Sequence, residues 1–234
     1  MQKKYLQWSL YLAGLLVLLV SSVVLSLSIG EMNLGFMDIF SILRKGHGSM
    51  EYTILSQIRF PRVLLGIAVG GALSLSGILL QGVYRNPLVE PYTLGISGGA
   101  SLGVAFAIVF GLHQLIGSFV LPASGFIGAF LIIFLVYTIS SRSGRINIQS
   151  MLLTGVMVSF IASSSMMLLM ATTNSENLHG IIFWIMGSLD EPDMSLIYLT
   201  LILALVSLVV CYLFLQPLKA LRLCELKAQN LGIN

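Results

Sequence analysis

The sequence has 234 residues, of which 57% are hydrophobic and only 9% are charged. An ordinary soluble domain carries roughly 25% charged residues, so this composition excludes a water-soluble globular protein and predicts an all-α integral membrane protein. The formal net charge is +3. Because the basic residues lie in short connections between apolar runs, they indicate membrane topology and not a nucleic-acid surface.

The chain begins with Lys3 and Lys4, followed by an uncharged run of 26 residues, Tyr5–Gly30. A secretory signal peptide is the alternative interpretation of this start. Signal peptides have an apolar core of about 7 to 15 residues that ends in an Ala-x-Ala-like cleavage site, whereas this run is longer and lacks such a site. We therefore predict a retained first span at 5–29.

A polar connection, Glu31–Tyr52, separates this run from the second span, which follows Arg59 and Arg62. The 22 uncharged residues Val63–Tyr84 reach across a hydrocarbon core of roughly 30 Å at about 1.5 Å per residue. After a turn with two prolines, 51 further uncharged residues provide for two spans. The segments predicted to cross the membrane after the first are 63–82, 92–111, 119–140, 149–171 and 195–216.

The segment 177–189 is apolar but holds only 13 residues before an acidic cluster. A helix of that length is too short to span, so we predict an interfacial or re-entrant helix. The last segment, 218–234, carries three basic residues and is predicted to be cytoplasmic. With the amino terminus inside, eight of the twelve Lys and Arg residues face the cytoplasm, which the positive-inside rule favours. Arg44, Lys45, Arg59 and Arg62 then face outward, against the rule.

Small residues recur at or near four-residue steps in two neighbouring spans. They are Gly66, Gly70, Ser74 and Gly77 in the second span, and Gly95, Gly99 and Gly103 at the start of the third. Ordinary membrane glycines are the alternative interpretation. Because lipid provides no hydrophobic drive for helix association, small residues that let backbones approach predict a closely packed bundle.

The sequence offers little for catalysis. Residues 95–99 match GxSxG, which would make Ser97 a nucleophile, but that motif needs a strand-turn-helix context and a histidine base. His113 is expected at the opposite end of the same helix. The sequence contains neither HExxH nor the phosphate-binding GxxxxGK[ST], and Cys211 and Cys224 match no zinc pattern. We predict no catalytic or metal site and no cofactor bound by this chain.

None of the predicted spans contains an ionisable residue that would mark a proton or ion path. This absence disfavours an ion-coupled carrier and favours a pore that is driven by an outside partner. Neutral polar residues cluster instead on the fifth span: Thr154, Ser159, Ser163, Ser164 and Ser165. Two roles are consistent with these residues: hydrogen bonding between helices, and the lining of a water-accessible path.

Several of these segments together resemble the signature of FecCD-type permeases. The segments are Arg59–Arg62 (RFPR), Gly70–Gly82 (GGALSLSGILLQG) and the run from Asn86 and Pro87 through Pro91, Gly95 and Gly99 to Ala100. The ending Leu221–Gly232 is similar to the family's coupling segment LxLGExxAxxLG, with Cys224 in place of glycine. Val89 departs from the family's usual alanine.

The resemblance implies a permease, not an enzyme, in an ABC importer for iron-siderophores, haem or cobalamin in a bacterial or archaeal cytoplasmic membrane. A second permease copy, separate ATPase subunits that bind ATP, and an extracytoplasmic substrate-binding protein are the implied partners. Arg59 and Arg62 would dock the binding protein. Thr154, Ser159, Ser163, Trp184, Met186 and Gly187 would line or gate the path, and Leu223, Glu225, Ala228, Leu231 and Gly232 would couple to the ATPase.

Family members continue for about four more spans beyond the point that matches Asn234. The resemblance therefore predicts six helices of about ten and a truncated or fragmentary chain. A non-transporting membrane protein is the main alternative function, and an intramembrane serine hydrolase built on Ser97 is a weaker one.

Overall fold

The computed structural model describes residues 2–30, 32, 34–45, 49–117, 119–141 and 148–216. Within these ranges the secondary structure is helical without a β-strand, which confirms the all-α prediction. The chain divides into one unit formed by Met1–Val69 and Leu189–Leu201 and a second formed by Gly70–Ser188 and Ile202–Asn234. The predicted coupling segment 218–234 lies outside the described residues.

Five helices in the described ranges are long and apolar enough to cross a membrane. They are Lys3–Ser28, Met50–Tyr84, Val120–Ser141, Gln149–Thr172 and Met194–Leu213. The segment predicted as the third span, 92–111, contains instead a 3₁₀ turn, Pro91–Leu94, and a helix of 14 residues, Ile96–Val109. Fourteen residues extend about 21 Å, which is less than a hydrocarbon core of roughly 30 Å. Gly95 adopts φ 81°, so the backbone turns at this residue and the helix starts after it.

The first unit contains α1 (Gln2–Ser28) and α2 (Phe36–Lys45). It also contains α3 (Met50–Thr53), which continues through a π-helical segment, Ile54–Arg59, into α4 (Phe60–Tyr84). The residues of α4 from Gly70 onward belong to the second unit. The region expected to be a polar connection, Glu31–Tyr52, therefore includes helical residues. Ser49 starts α3, because its hydroxyl accepts a hydrogen bond from the backbone N–H of Tyr52 at 3.2 Å.

The second unit is organised around α5 (Ile96–Val109), which contacts the four helices that follow it. They are α6 (Leu112–Ile116), α7 (Val120–Ser141), α8 (Ile148–Thr172) and α9 (Ser175–Met186). Its core consists of Val104, Ala105, Ile108 and Ile181, with Leu121, Met166 and Trp184 packed around them. The last helix, α10 (Met194–Leu213), begins in the first unit and ends in the second.

The approach of α5 to α7 is backbone to backbone. A β-carbon on Gly99 would lie 2.5 Å from the carbonyl oxygen of Gly128, and one on Gly103 would collide with the carbonyl oxygen of Ser124. Only glycine permits this separation, as expected where membrane helices gain dispersion contacts through small residues. In α4, by contrast, a β-carbon added at Gly70 or Gly77 would have no neighbouring helix of the described chain within 4 Å.

The turn between α4 and α5 is held by its own side chains. Asn86 Oδ1 accepts the Leu88 N–H at 3.0 Å, and the Asn86 carbonyl accepts the Val89 N–H at 3.3 Å. Val89 is 3% exposed and packs with Tyr84 and Leu94. The valine that departs from the resembled family's usual alanine is therefore part of the packed turn.

The short helix α9 lies where the interfacial or re-entrant helix 177–189 was predicted. Asn174 caps its start, since its Oδ1 accepts the Asn177 N–H at 2.8 Å. Its 12 residues extend about 18 Å, which is too short to span. Gly187, with φ 75°, ends the helix.

Candidate functional site

Arg59 holds the end of the first helix. The side chain is only 9% exposed, and its guanidinium donates hydrogen bonds to the carbonyl oxygens of Leu27 at 2.6 Å and Ser28 at 3.2 Å, and also to that of Met32. Because α1 ends at Ser28, its last carbonyls have no donor within the helix, and a cation is favoured at this end of the helix dipole. Arg59 therefore anchors α1 to the π-helical segment, and its burial leaves little of it for the docking role expected from the sequence.

Arg62 lies one helical turn later and has a different environment. Its side chain is 48% exposed, and Nη2 lies 3.0 Å from Oδ1 of Asp190, whose side chain is 73% exposed. Asp190 belongs to the connection between α9 and α10. Of the two arginines expected at a docking surface, Arg62 is thus the accessible one, and it already has an acidic partner.

Both arginines border one open groove of about 760 Å³ in the first unit. The rest of the lining is largely apolar and comes from the end of α1 and the start of the following helices: Leu25, Ile29, Met32, Met50, Ile54 and Ile58. The groove therefore combines two arginines with mainly apolar side chains.

Asp190 is not among the docking residues predicted from the sequence. It belongs to the acidic cluster Asp190, Glu191 and Asp193 that follows the predicted short helix, so the sequence shows the acids but not their partners. Asp193 has a local role, since its Oδ1 accepts the Ser195 N–H at 2.9 Å at the start of α10. Which acid would meet which arginine depends on the path of the connection, and no spacing rule predicts that path.

The polar residues expected to line a path on α8 have unequal surroundings. Ser159 faces the start of α5: its hydroxyl donates to the Gly155 carbonyl at 2.8 Å, and a β-carbon on Gly95 would lie 2.9 Å from Oγ of Ser159. Thr154 is half-buried, whereas Ser163 is exposed. Ser159 therefore packs against the start of α5, and Ser163 and its neighbour Ser164 are the exposed members of the cluster.

The residues of α9 and its end that are expected to form a gate also differ in their exposure. Trp184 packs on the core of the second unit, where a β-carbon on Gly125 would lie 3.5 Å from its Cζ2. Met186 and Gly187 are exposed at the end of the helix. The helix is thus fixed through its tryptophan while its last residues stay accessible.

The structure does not bring together the serine and histidine that the hydrolase alternative requires. Ser97 is exposed in the first turn of α5, and His113 lies on α6, beyond the far end of that helix. The 14 residues of α5 alone separate its two ends by about 20 Å. Among the described residues, no group of three or more His, Cys, Asp or Glu is placed to hold a metal ion.

Comparison with known proteins places this arrangement in a class. The chain is 33% identical over 96% of its length to the hemin transport system permease protein HmuU of Yersinia pestis, and it covers 67% of that protein. It is 34% identical over 99% of its length to the vitamin B12 import system permease protein BtuC of Citrobacter koseri, of which it covers 66%. With the molybdate import system permease protein MolB of Haemophilus influenzae it shares 35% identity over 76% of its length.

A solved structure of an ABC transporter described as of the metal-chelate type, in an inward-facing conformation, has the same fold. The TM-score is 0.79 at 30% identity, and the match covers 96% of this chain and 68% of that one. These relatives define a class of multi-pass membrane permeases of transport systems. The FecCD transport family model matches residues 17–234, and the chain belongs to that family. It spans about two thirds of the length of these relatives.

Proposed function

We propose that the protein is the transmembrane permease subunit of a binding-protein-dependent ABC importer in the cytoplasmic membrane. The observation that carries the proposal is the family match over residues 17–234, together with the structural likeness to an ABC transporter. Since the sequence has no phosphate-binding P-loop, ATP is bound and hydrolysed on a separate subunit. The chain carries out no covalent chemistry on its cargo.

The cargo is an iron-siderophore complex, with haem or cobalamin next. Relatives named for hemin and vitamin B12 support this range, and the molybdate permease extends it to an oxyanion. A path formed by two permease copies and lined by neutral residues such as Ser163 encodes little chemical selectivity. Cargo choice therefore rests with the binding protein, which docks near Arg62.

The energy reaches the path from the cytoplasmic side. The segment containing Leu223, Glu225, Ala228, Leu231 and Gly232 docks in a cleft of the ATPase, and closure of the ATPase dimer moves the helices between outward and inward openings. An exposed Met186 and Gly187 at the end of α9 suit a gate that changes its contacts during this movement.

Uptake by liposomes that contain the assembled transporter tests the proposal. The assembly of permease, ATPase and binding protein is offered a ferric siderophore, hemin, cyanocobalamin or molybdate, each labelled. We expect uptake that needs both ATP and the binding protein and that is lost when the catalytic glutamate of the ATPase is replaced by glutamine. Uptake at an unchanged rate without the ATPase, or no uptake of any of the four compounds, would contradict it.

A further inference from the structure

The ion pair between Arg62 and Asp190 occupies the position where the binding protein is proposed to dock. We propose that Asp190 is an internal competitor for Arg62, and that a carboxylate on the binding protein replaces it when the two proteins meet. This inference rests on the proposed function and adds a regulatory contact within the chain itself.

The exposure of the pair makes the exchange possible. The Arg62 side chain is about half exposed and that of Asp190 is mostly exposed, with an N–O distance of 3.0 Å. Exposed ion pairs of this kind shift an equilibrium by only about two- to five-fold, so an incoming carboxylate can replace Asp190 at small cost. Within the groove, Arg59 is buried and hydrogen-bonded to three carbonyls, which leaves Arg62 as the exchangeable cation.

Replacement has a consequence for the connection that carries Asp190. While the pair is formed, this connection is tied to the first turn of α4. When a partner carboxylate takes Arg62, Asp190 loses this contact with the first turn of α4. Docking thus changes a contact of the connection that follows α9.

Binding kinetics of the binding protein to the intact transporter in lipid nanodiscs test the inference. The informative variant is Asp190→Asn, and the matched control is Asp193→Asn, which removes one negative charge from the same connection. An asparagine at 193 still offers an oxygen to the Ser195 N–H, so the start of α10 is preserved. Both variants are also made in an Arg62→Gln background.

We expect Asp190→Asn to raise the affinity about two- to five-fold over the Asp193→Asn control, and this excess to disappear in the Arg62→Gln background. Equal effects of the two variants, or an excess that persists without Arg62, would overturn the competitor role while leaving docking intact. If Arg62→Gln leaves binding unchanged at low salt, the docking proposal itself fails, and the competitor role fails with it.

Discussion

Arg59 and Arg62 lie three residues apart on one continuous helix but have different environments. Arg59 is buried against the carbonyls that end α1, and Arg62 is half-exposed beside Asp190. Charge-assisted hydrogen bonds from a buried guanidinium stabilise a fold far more than an exposed ion pair does. The residue type is the same in both places, so the difference comes from where α1 ends.

Replacing Arg59 by glutamine should therefore destabilise the protein by about 1.5–3 kcal/mol, since three carbonyls lose their charged donor. Replacing Arg62 by glutamine should cost less than about 1 kcal/mol. Denaturant titration of each variant in mixed micelles measures both changes. Equal losses for the two variants would show that Arg59 is not the anchor of α1.

At the scale of the helix, a repeat of small residues has two outcomes in this chain. On α5 the glycines meet the backbone of α7, so that a β-carbon on Gly99 would lie 2.5 Å from an oxygen of Gly128. On α4, a β-carbon added at Gly70 or Gly77 would have no neighbouring helix of the described chain within 4 Å. Spacing predicts that a helix can approach another closely, but the approach needs a partner helix on that face.

The variant Gly99→Ala should lose about 1–3 kcal/mol of stability, because the methyl group forces α5 and α7 apart. Gly14 on α1 is a matched control, since it lies in a spanning helix and meets no atom of the described chain within 4 Å. Gly14→Ala should change stability by less than about 0.5 kcal/mol. Thermal unfolding in one detergent compares the two, and a Gly99→Ala protein as stable as the control would refute the close contact.

For the whole molecule, the distribution of charge is the basis of the predicted direction of insertion. If the amino terminus is cytoplasmic and all six predicted segments cross, eight of twelve basic residues face inward, and the opposite orientation leaves four. Arg59 and Arg62 are among the outward exceptions in this predicted topology. Arg59 has a local reason to break the rule, since it satisfies the end of α1.

In a Cys211→Ser variant, Cys224 is the remaining cysteine. A membrane-impermeant maleimide should label Cys224 in inverted membrane vesicles and should not label it in spheroplasts. The control is Glu176→Cys in a chain in which both native cysteines are replaced by serine. The new cysteine should be labelled from outside, because position 176 is exposed in the first turn of α9. Labelling of Cys224 from outside would reverse the proposed orientation.

Composition and uncharged run lengths by themselves determined that the chain is a helical membrane protein, because a surface so poor in charge cannot face water and backbone groups in lipid must be paired within helices. The motif around Asn86 and Pro87 was also readable as a family resemblance. Its glycines and prolines impose local backbone conformations, and local conformations are what short sequence patterns encode.

The tertiary structure alone decided that 92–111 contains a helix of only 14 residues, that Arg59 is buried and that Asp190 pairs with Arg62. It also decided that Ser159 packs on Gly95 while Ser163 stays exposed. The burial of Arg59, the pairing of Asp190 and the packing of Ser159 depend on contacts between residues that are distant in the chain, whereas the start of the 14-residue helix depends on the conformation of Gly95. An uncharged run shows that a segment can enter the membrane, but only the packed helices determine where it turns and which polar side chains remain open.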